Sequence, residues 1–192
     1  MSDIDDVNSS TNDYESSGRN SFKSNELFIL ENINYTLKSL IEENKNLFHY
    51  KEEISKQKKL IFFSEEIPSI SVKDYLYRIH SFTEAENSTL ILGLIYIDKI
   101  CEKASIILSE FNIHKILFTS IIIAIKYNED LFYDNNYYAK IAGVTTKELK
   151  KLESEFLRLI KFELFVNKNI FEKYKNYINQ INIINQIQKS KN

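Results

Sequence analysis

From about residue 25 onward, apolar residues recur at helical spacing, and short polar segments divide that spacing into separate units. Leu27, Leu30, Ile33, Leu37, Leu40, Ile41, Leu47 and Phe48 fall every three or four residues and predict an amphipathic helix over 25–48, which the charged stretch 51–59 continues or frays. Leu60-Ile61-Phe62-Phe63 is a short apolar anchor, and Pro68 breaks any helix before it. The spacing next predicts a helix over 72–82 with Tyr75, Leu76, Ile79 and Phe82 on its apolar face. A longer one follows over 85–107, with Leu90, Leu94, Ile97, Cys101 and Ala104 as one stripe. Gly93 inside it costs about 1 kcal/mol relative to Ala, and suits the close approach of a neighbouring helix.

Asn112 is a good N-cap for the next unit, which runs to Tyr127. Its middle, 116–125, has no polar face, so periodicity alone allows a buried strand as well as a buried helix. Length and helical neighbours favour the helix, and one that is apolar all round must be surrounded by others. This segment is therefore expected to be the hub. A polar and aromatic loop over 128–135 leads to a short helix over 136–142, with Gly143 where a left-handed terminator belongs. Thr145-Thr146-Lys147-Glu148 reads as a capping box opening a helix to Phe162. A last helix over 169–188 carries Ile170, Phe171, Tyr174, Tyr177, Ile178, Ile181 and Ile184. The first 24 residues, rich in Ser, Asn and Asp, read as a disordered tail.

Composition supports this all-α reading and narrows the function. Three glycines and one proline in 192 residues are too few for the corners of a many-stranded sheet protein. Gly18, Gly93 and Gly143 stand far apart, so no glycine-rich phosphate cradle is present. A formal net charge of -2 lacks the basic surplus of non-specific nucleic-acid binding. The longest apolar run falls far short of the roughly 20 residues of a membrane span. The single Cys101 fits a reducing cytoplasm and/or nucleus, and the acidic start does not read as a signal peptide. His49, His80 and His114 are scattered and form no metal spacing, and Cys101 on a core stripe reads as a structural thiol. His114, in the first turn of its helix, reads as a packing or capping residue. No catalytic residue, metal or cofactor is indicated.

Two charges are out of place. On the wheel of the helix after Thr145, Glu153 falls between Ile160 and Leu157 and interrupts an otherwise continuous apolar face. Lys126 closes the most apolar helix of the chain. Each could reach water at a domain edge. Alternatively, both lie where apolar surface is exposed for a partner and meet polar groups of that partner.

Over about 100 residues the order and spacing of several motifs resemble a cyclin box, and more narrowly the P- or U-type cyclins. Ile67-Pro68-Ser69-Ile70-Ser71-Val72-Lys73-Asp74-Tyr75-Leu76-Tyr77-Arg78-Ile79 is similar to that class's entry into its first helix. Tyr96-Ile97-Asp98-Lys99 resembles Y-I-D-R, Asn112-Ile113-His114-Lys115 resembles N-x-H-R, and Ala124-Ile125-Lys126-Tyr127 resembles A-x-K-[FY]. Asp130, Asn135, Tyr138-Ala139-Lys140 and Gly143-Val144 follow D-x4-N-x2-Y-A-K-x2-G-[IV]. Glu148-Leu149, Leu152-Glu153, Phe156-Leu157 and Phe162-Glu163-Leu164 follow E-L-x2-L-E-x2-F-L-x4-F-x-L.

The resemblance implies one five-helix cyclin box over 63–166, an N-terminal helical extension over 25–62 and a C-terminal helix and tail over 167–192. It implies no enzyme, but a regulatory subunit that binds and activates a cyclin-dependent serine/threonine protein kinase, packing the box's third and fifth helices on the kinase αC helix. Lys126 and Glu153 match the family's kinase-contacting Lys and Glu. Tyr127, Leu149, Leu152, Phe156 and Leu157 are the expected apolar contacts, and Asp98, Gly143, Tyr138 and Ala139 structural positions. Neither nucleic acid, membrane nor small-molecule cofactor is expected as a partner. The chain departs from the family at one point: the Arg that pairs with the Asp of Y-I-D-R would fall near Ser69, so Asp98 either needs another partner, for which Arg78 is a candidate, or stays near water. The alternative reading is a cyclin-fold adaptor or scaffold acting in transcription or without a kinase.

Overall fold

The computed structural model describes residues 24–189, and the tail expected over the first residues lies almost wholly outside them. Eight helices follow one another: α1 Ser24–Lys45, α2 Tyr50–Gln57, α3 Val72–Thr83, α4 Asn87–Ala104, α5 Ile113–Asn128, α6 Asn135–Ala142, α7 Thr146–Leu159 and α8 Lys168–Lys189. Among the described residues there is no strand, so the all-α class holds. The charged stretch after α1 is a separate helix rather than its continuation, because the chain turns between Lys45 and Tyr50.

α5 is the centre. Every residue from 116 to 125 is buried, and the helix packs against α3, α4, α6 and α7. Its two buried hydroxyls stay inside the helix: Thr119 donates to the Lys115 carbonyl at 2.7 Å and Ser120 to that of Leu117 at 2.8 Å. The strand alternative is thereby decided. Gly93 brings α4 onto this hub, since a Cβ there would stand 3.1 Å from Ile121 Cγ1 and 3.4 Å from Ile121 Cα.

α4 corrects the single-stripe expectation. All residues from 89 to 97 are buried, because the helix is held between α5 on one side and α1 and α8 on the other. Cys101 and Ala104 are only half-buried near its end. The helix stops before Ile107 because Ser105 turns left-handed and the Ile106 N–H donates back to the Cys101 carbonyl at 3.0 Å. Phe82, placed on the core face of α3 by spacing, is 47% exposed, while His80 and Thr83 are buried instead. In α8, Ile178 and Ile181 are buried, whereas Ile170 and Tyr177 are exposed.

The helix ends explain the boundaries. Thr145 accepts from the Glu148 N–H at 3.1 Å, but the Glu148 carboxylate pairs with Lys115 at 3.1 Å, so only half of the expected capping box is used for capping. Asp134 caps α6 by accepting from the Tyr137 N–H at 2.9 Å, which starts that helix at Asn135. Gly143, at φ +73°, ends it as expected. α7 stops at Leu159, short of Phe162, because Lys161 and Phe162 both take left-handed backbone. Asn112 is not the side-chain cap of α5. Its amide instead closes the preceding loop, accepting from the Ser109 N–H at 2.8 Å and donating to the Ile107 carbonyl at 2.8 Å.

The first and last helices meet. α1 packs on α3, α4 and α8, and the buried Asn32 amide donates to the Ile178 carbonyl of α8 at 2.9 Å. His114 ties α5 to the segment before α3 through Nε2, which lies 2.9 Å from the Ile70 carbonyl.

Burial holds both His80 and His114 below the usual imidazole range. In the unfolded chain these rings take a proton at a higher pH than in the fold, so stability is complete above about pH 6.5 and declines as pH falls through the folded values. Thermal melts between about pH 8 and pH 5 should show a falling Tm below about pH 6.5, with a shallower fall in His114→Gln. An equal slope in that variant would remove His114 from the account.

Candidate functional site

The two misplaced charges meet each other. The Lys126 ammonium, at the end of α5, pairs with Glu153 Oε1 on α7. Asn135, the first residue of α6, completes the group: its Oδ1 accepts from Lys126 Nζ at 2.6 Å, and its Nδ2 donates to Glu153 Oε2 at 2.6 Å. The Lys126 and Glu153 side chains are 25% and 12% exposed, so the group sits at the surface with its charges partly desolvated. Lys126 also lies 5.7 Å from the centre of the Tyr138 ring. An ammonium has three N–H donors; Glu153 and Asn135 engage two, which leaves one to offer outward.

Apolar side chains that follow its elements along the chain are exposed. Tyr127 follows Lys126 directly and is exposed. The loop after α5 exposes Leu131, Phe132 and Tyr133, and is tied back by the Tyr133 N–H donating to the Tyr138 hydroxyl at 3.1 Å. On the α7 side, the Phe162 N–H donates to the Leu157 carbonyl at 2.8 Å, and Phe162 and Phe165 are among the most exposed large side chains of the described residues. The segment carrying them is fixed from beneath. Tyr96 donates to the Leu164 carbonyl at 2.8 Å, and Lys99 donates to the carbonyls of Glu163 at 2.8 Å and Phe165 at 3.1 Å.

Not every residue expected at a partner surface is here. Leu149, Leu152 and Phe156 are at most 2% exposed and belong to the core, because that side of α7 faces α5 rather than solvent. Leu157 is half-buried at the edge. The wheel recognised the apolar face of α7 but not that the chain itself covers most of it. Asn135 enters the sequence pattern only through motif spacing; the cue to its role is a polar residue between the two charges. Phe162 is expected at the end of that helix and within a motif, Phe165 carries no expectation, and nothing in periodicity marks an exposed aromatic beyond a helix terminus.

The remaining positions have structural roles. Tyr138 and Ala139 are on the buried face of α6. Asp98 accepts from the Tyr174 hydroxyl of α8, not from Arg78, which donates to the Lys140 carbonyl at 3.2 Å. Burial pushes the Cys101 thiol up to about 12, and among the described residues no group of three His, Cys, Asp or Glu side chains is placed to hold a metal. No described helix is long and apolar enough to cross a membrane.

A hub helix ringed by others is the arrangement that the resemblance implies, whereas the contact between Lys126 and Glu153 within the chain is not something it implied. The cyclin family model matches residues 8–164. The chain belongs to the cyclin family. Its relatives include cyclin-U2-2 of Arabidopsis thaliana, 44% identical over 115 residues that make up 59% of this chain and 50% of the relative. Cyclin-U4-3 of the same plant is 35% identical over 147 residues, 76% of this chain and 64% of the relative. PHO85 cyclin-7 of Saccharomyces cerevisiae is 34% identical over 131 residues, 62% of this chain and 46% of the relative. These are consistent with a P/U-type cyclin. This cyclin spans about half the length of the first curated relatives it matches.

Proposed function

We propose that this cyclin binds a cyclin-dependent protein kinase and activates it, presenting the end of α5 and the outer edge of α7 to the kinase αC helix. The observation that carries the reading is the part-exposed Lys126–Asn135–Glu153 group, with exposed apolar side chains following α5 and α7 along the chain. Tyr127, Leu157, Phe162 and Phe165 supply apolar area, and the remaining Lys126 N–H and Glu153 lone pairs accept partner groups that fix register. In this scheme the box occupies 63–166 and the flanking helices buttress it.

A kinase is active only when its β3 Lys and αC Glu pair and its activation loop is placed. This cyclin does no chemistry; it binds the αC-in state more tightly and so shifts the population toward it. Moving that equilibrium from about 1:99 to 99:1 takes roughly 5.5 kcal/mol of preference, within reach of a well-packed interface of about 1,600 Å².

The test is capture of the full chain from native extract, mass spectrometry of what accompanies it, and a kinase assay with the recovered partner. A cyclin-dependent kinase whose activity rises with added cyclin is expected. Recovery of DNA-bound complexes, or of no kinase at all, would reject the reading in favour of an adaptor or scaffold.

A further inference from the structure

A cleft of about 300 Å³ opens on another part of the molecule, between α1, α4 and α8. Its floor is apolar, with Leu37, Leu94 and Ile97 all buried beneath it. Its mouth is polar. Glu43 on α1 and Asp98 on α4 face it, and Tyr174 and Tyr177 of α8 form a wall. Such a mixture of apolar lining and a few convergent polar groups is typical of a binding cleft at the small end of the usual size range.

The charge at the mouth is unbalanced. Asp98 accepts from the Tyr174 hydroxyl but meets no cation among the described residues, and neither Glu43 nor the nearby Glu102 forms an ion pair there. The Tyr174 hydroxyl registers this field. Burial pushes its pKa up first, the hydrogen bond to Asp98 adds to that, and the charges of Asp98 and Glu102 add further. The one cation lining the cleft is Lys173, exposed at its α8 rim.

We propose that this cleft receives an arginine side chain from a segment of a partner protein. The guanidinium is placed against Asp98 and Glu43 beside the tyrosine wall, and the apolar stem lies over Leu37, Leu94 and Ile97. Arginine fits better than lysine. Its planar fork can meet a carboxylate with two parallel bonds, it stacks on aromatic faces, and it sheds water more easily than an ammonium. The site is remote in sequence from Lys126 and Glu153 and does not depend on the kinase reading.

The probe is the blocked tripeptide acetyl-Gly-Arg-Gly-amide, titrated into the full chain with labelled Leu and Ile methyl groups and followed by NMR. Saturable shifts are expected at Leu37, Leu94 and Ile97, with the Gln counterpart of the peptide moving none of them. Asp98→Asn keeps an acceptor for Tyr174, and should weaken the Arg peptide about tenfold, the scale of one charge-assisted bond. Glu43→Gln, at an exposed position, gives a second reading without risk to the core. Lys173→Ala should tighten binding, since it removes the opposing charge at the α8 rim. Equal shifts with the Gln peptide, shifts confined to the acidic N-terminal segment or to the Lys126 ledge, or affinity unchanged in both carboxylate variants would each overturn the proposal.

Discussion

Truncating Glu153 to Ala should weaken this cyclin's hold on its kinase by about 2–5 kcal/mol, the range for removing one partner of a charge pair that becomes buried in a complex. In the free chain the loss should be smaller, because Lys126 is still a quarter exposed and water can take the place of the lost carboxylate. The Asn135 amide loses its acceptor at the same time, so the variant disorders a three-part group rather than a pair. Exchanging the charges, Lys126→Glu with Glu153→Lys, provides the sharper comparison. It retains attraction within the chain but inverts what is shown to a partner. The exchanged variant should melt close to the native temperature and still fail to bind, as read by calorimetric titration with the purified kinase. Native-like binding by it would mean that the pair serves only the fold.

Phe156→Ala should act in the opposite way, costing about 3–5 kcal/mol of folding stability with little direct effect on a partner. The ring is fully buried and meets Phe62 edge-on at 6.0 Å between centroids, so the truncation leaves a cavity between α7 and the segment before α3. For a chain of this length the midpoint should fall by roughly 10 °C, against a total stability of about 5–15 kcal/mol. Differential scanning calorimetry checks the first part, and kinase affinity per folded molecule checks the second. A normal melting temperature with lost binding would restore Phe156 to the partner surface.

The contrast between Glu153 and Phe156 shows how far the sequence could be read. Both lie on one face of α7, and helical periodicity places them correctly with respect to each other. What periodicity cannot supply is which part of an apolar face its own chain covers. That depends on α5 and on the segment around Phe62, brought together only by the tertiary packing. The hub role of α5 was legible because an all-apolar helix has no other stable place. Gly143 and Thr145 were legible because their roles are local. Asn112 misled for the converse reason: an Asn before a helix favours capping, but its amide found better partners in the loop behind it. The partner of Asp98 was also out of reach of spacing, since Tyr174 lies 76 residues away on a helix whose position only the fold determines.

The bond from Asn32 to the Ile178 carbonyl joins segments 146 residues apart, and each flanking helix uses the other as part of its support. Neither brace is self-sufficient. Loosening one uncovers a greasy strip on the other, so the pair should open in a single concerted event, visible as simultaneous hydrogen exchange around both residues. A clip engineered across that seam would stiffen both flanks at once and leave the Lys–Asn–Glu group, whose hydrogen bonds involve neither flank, free to engage.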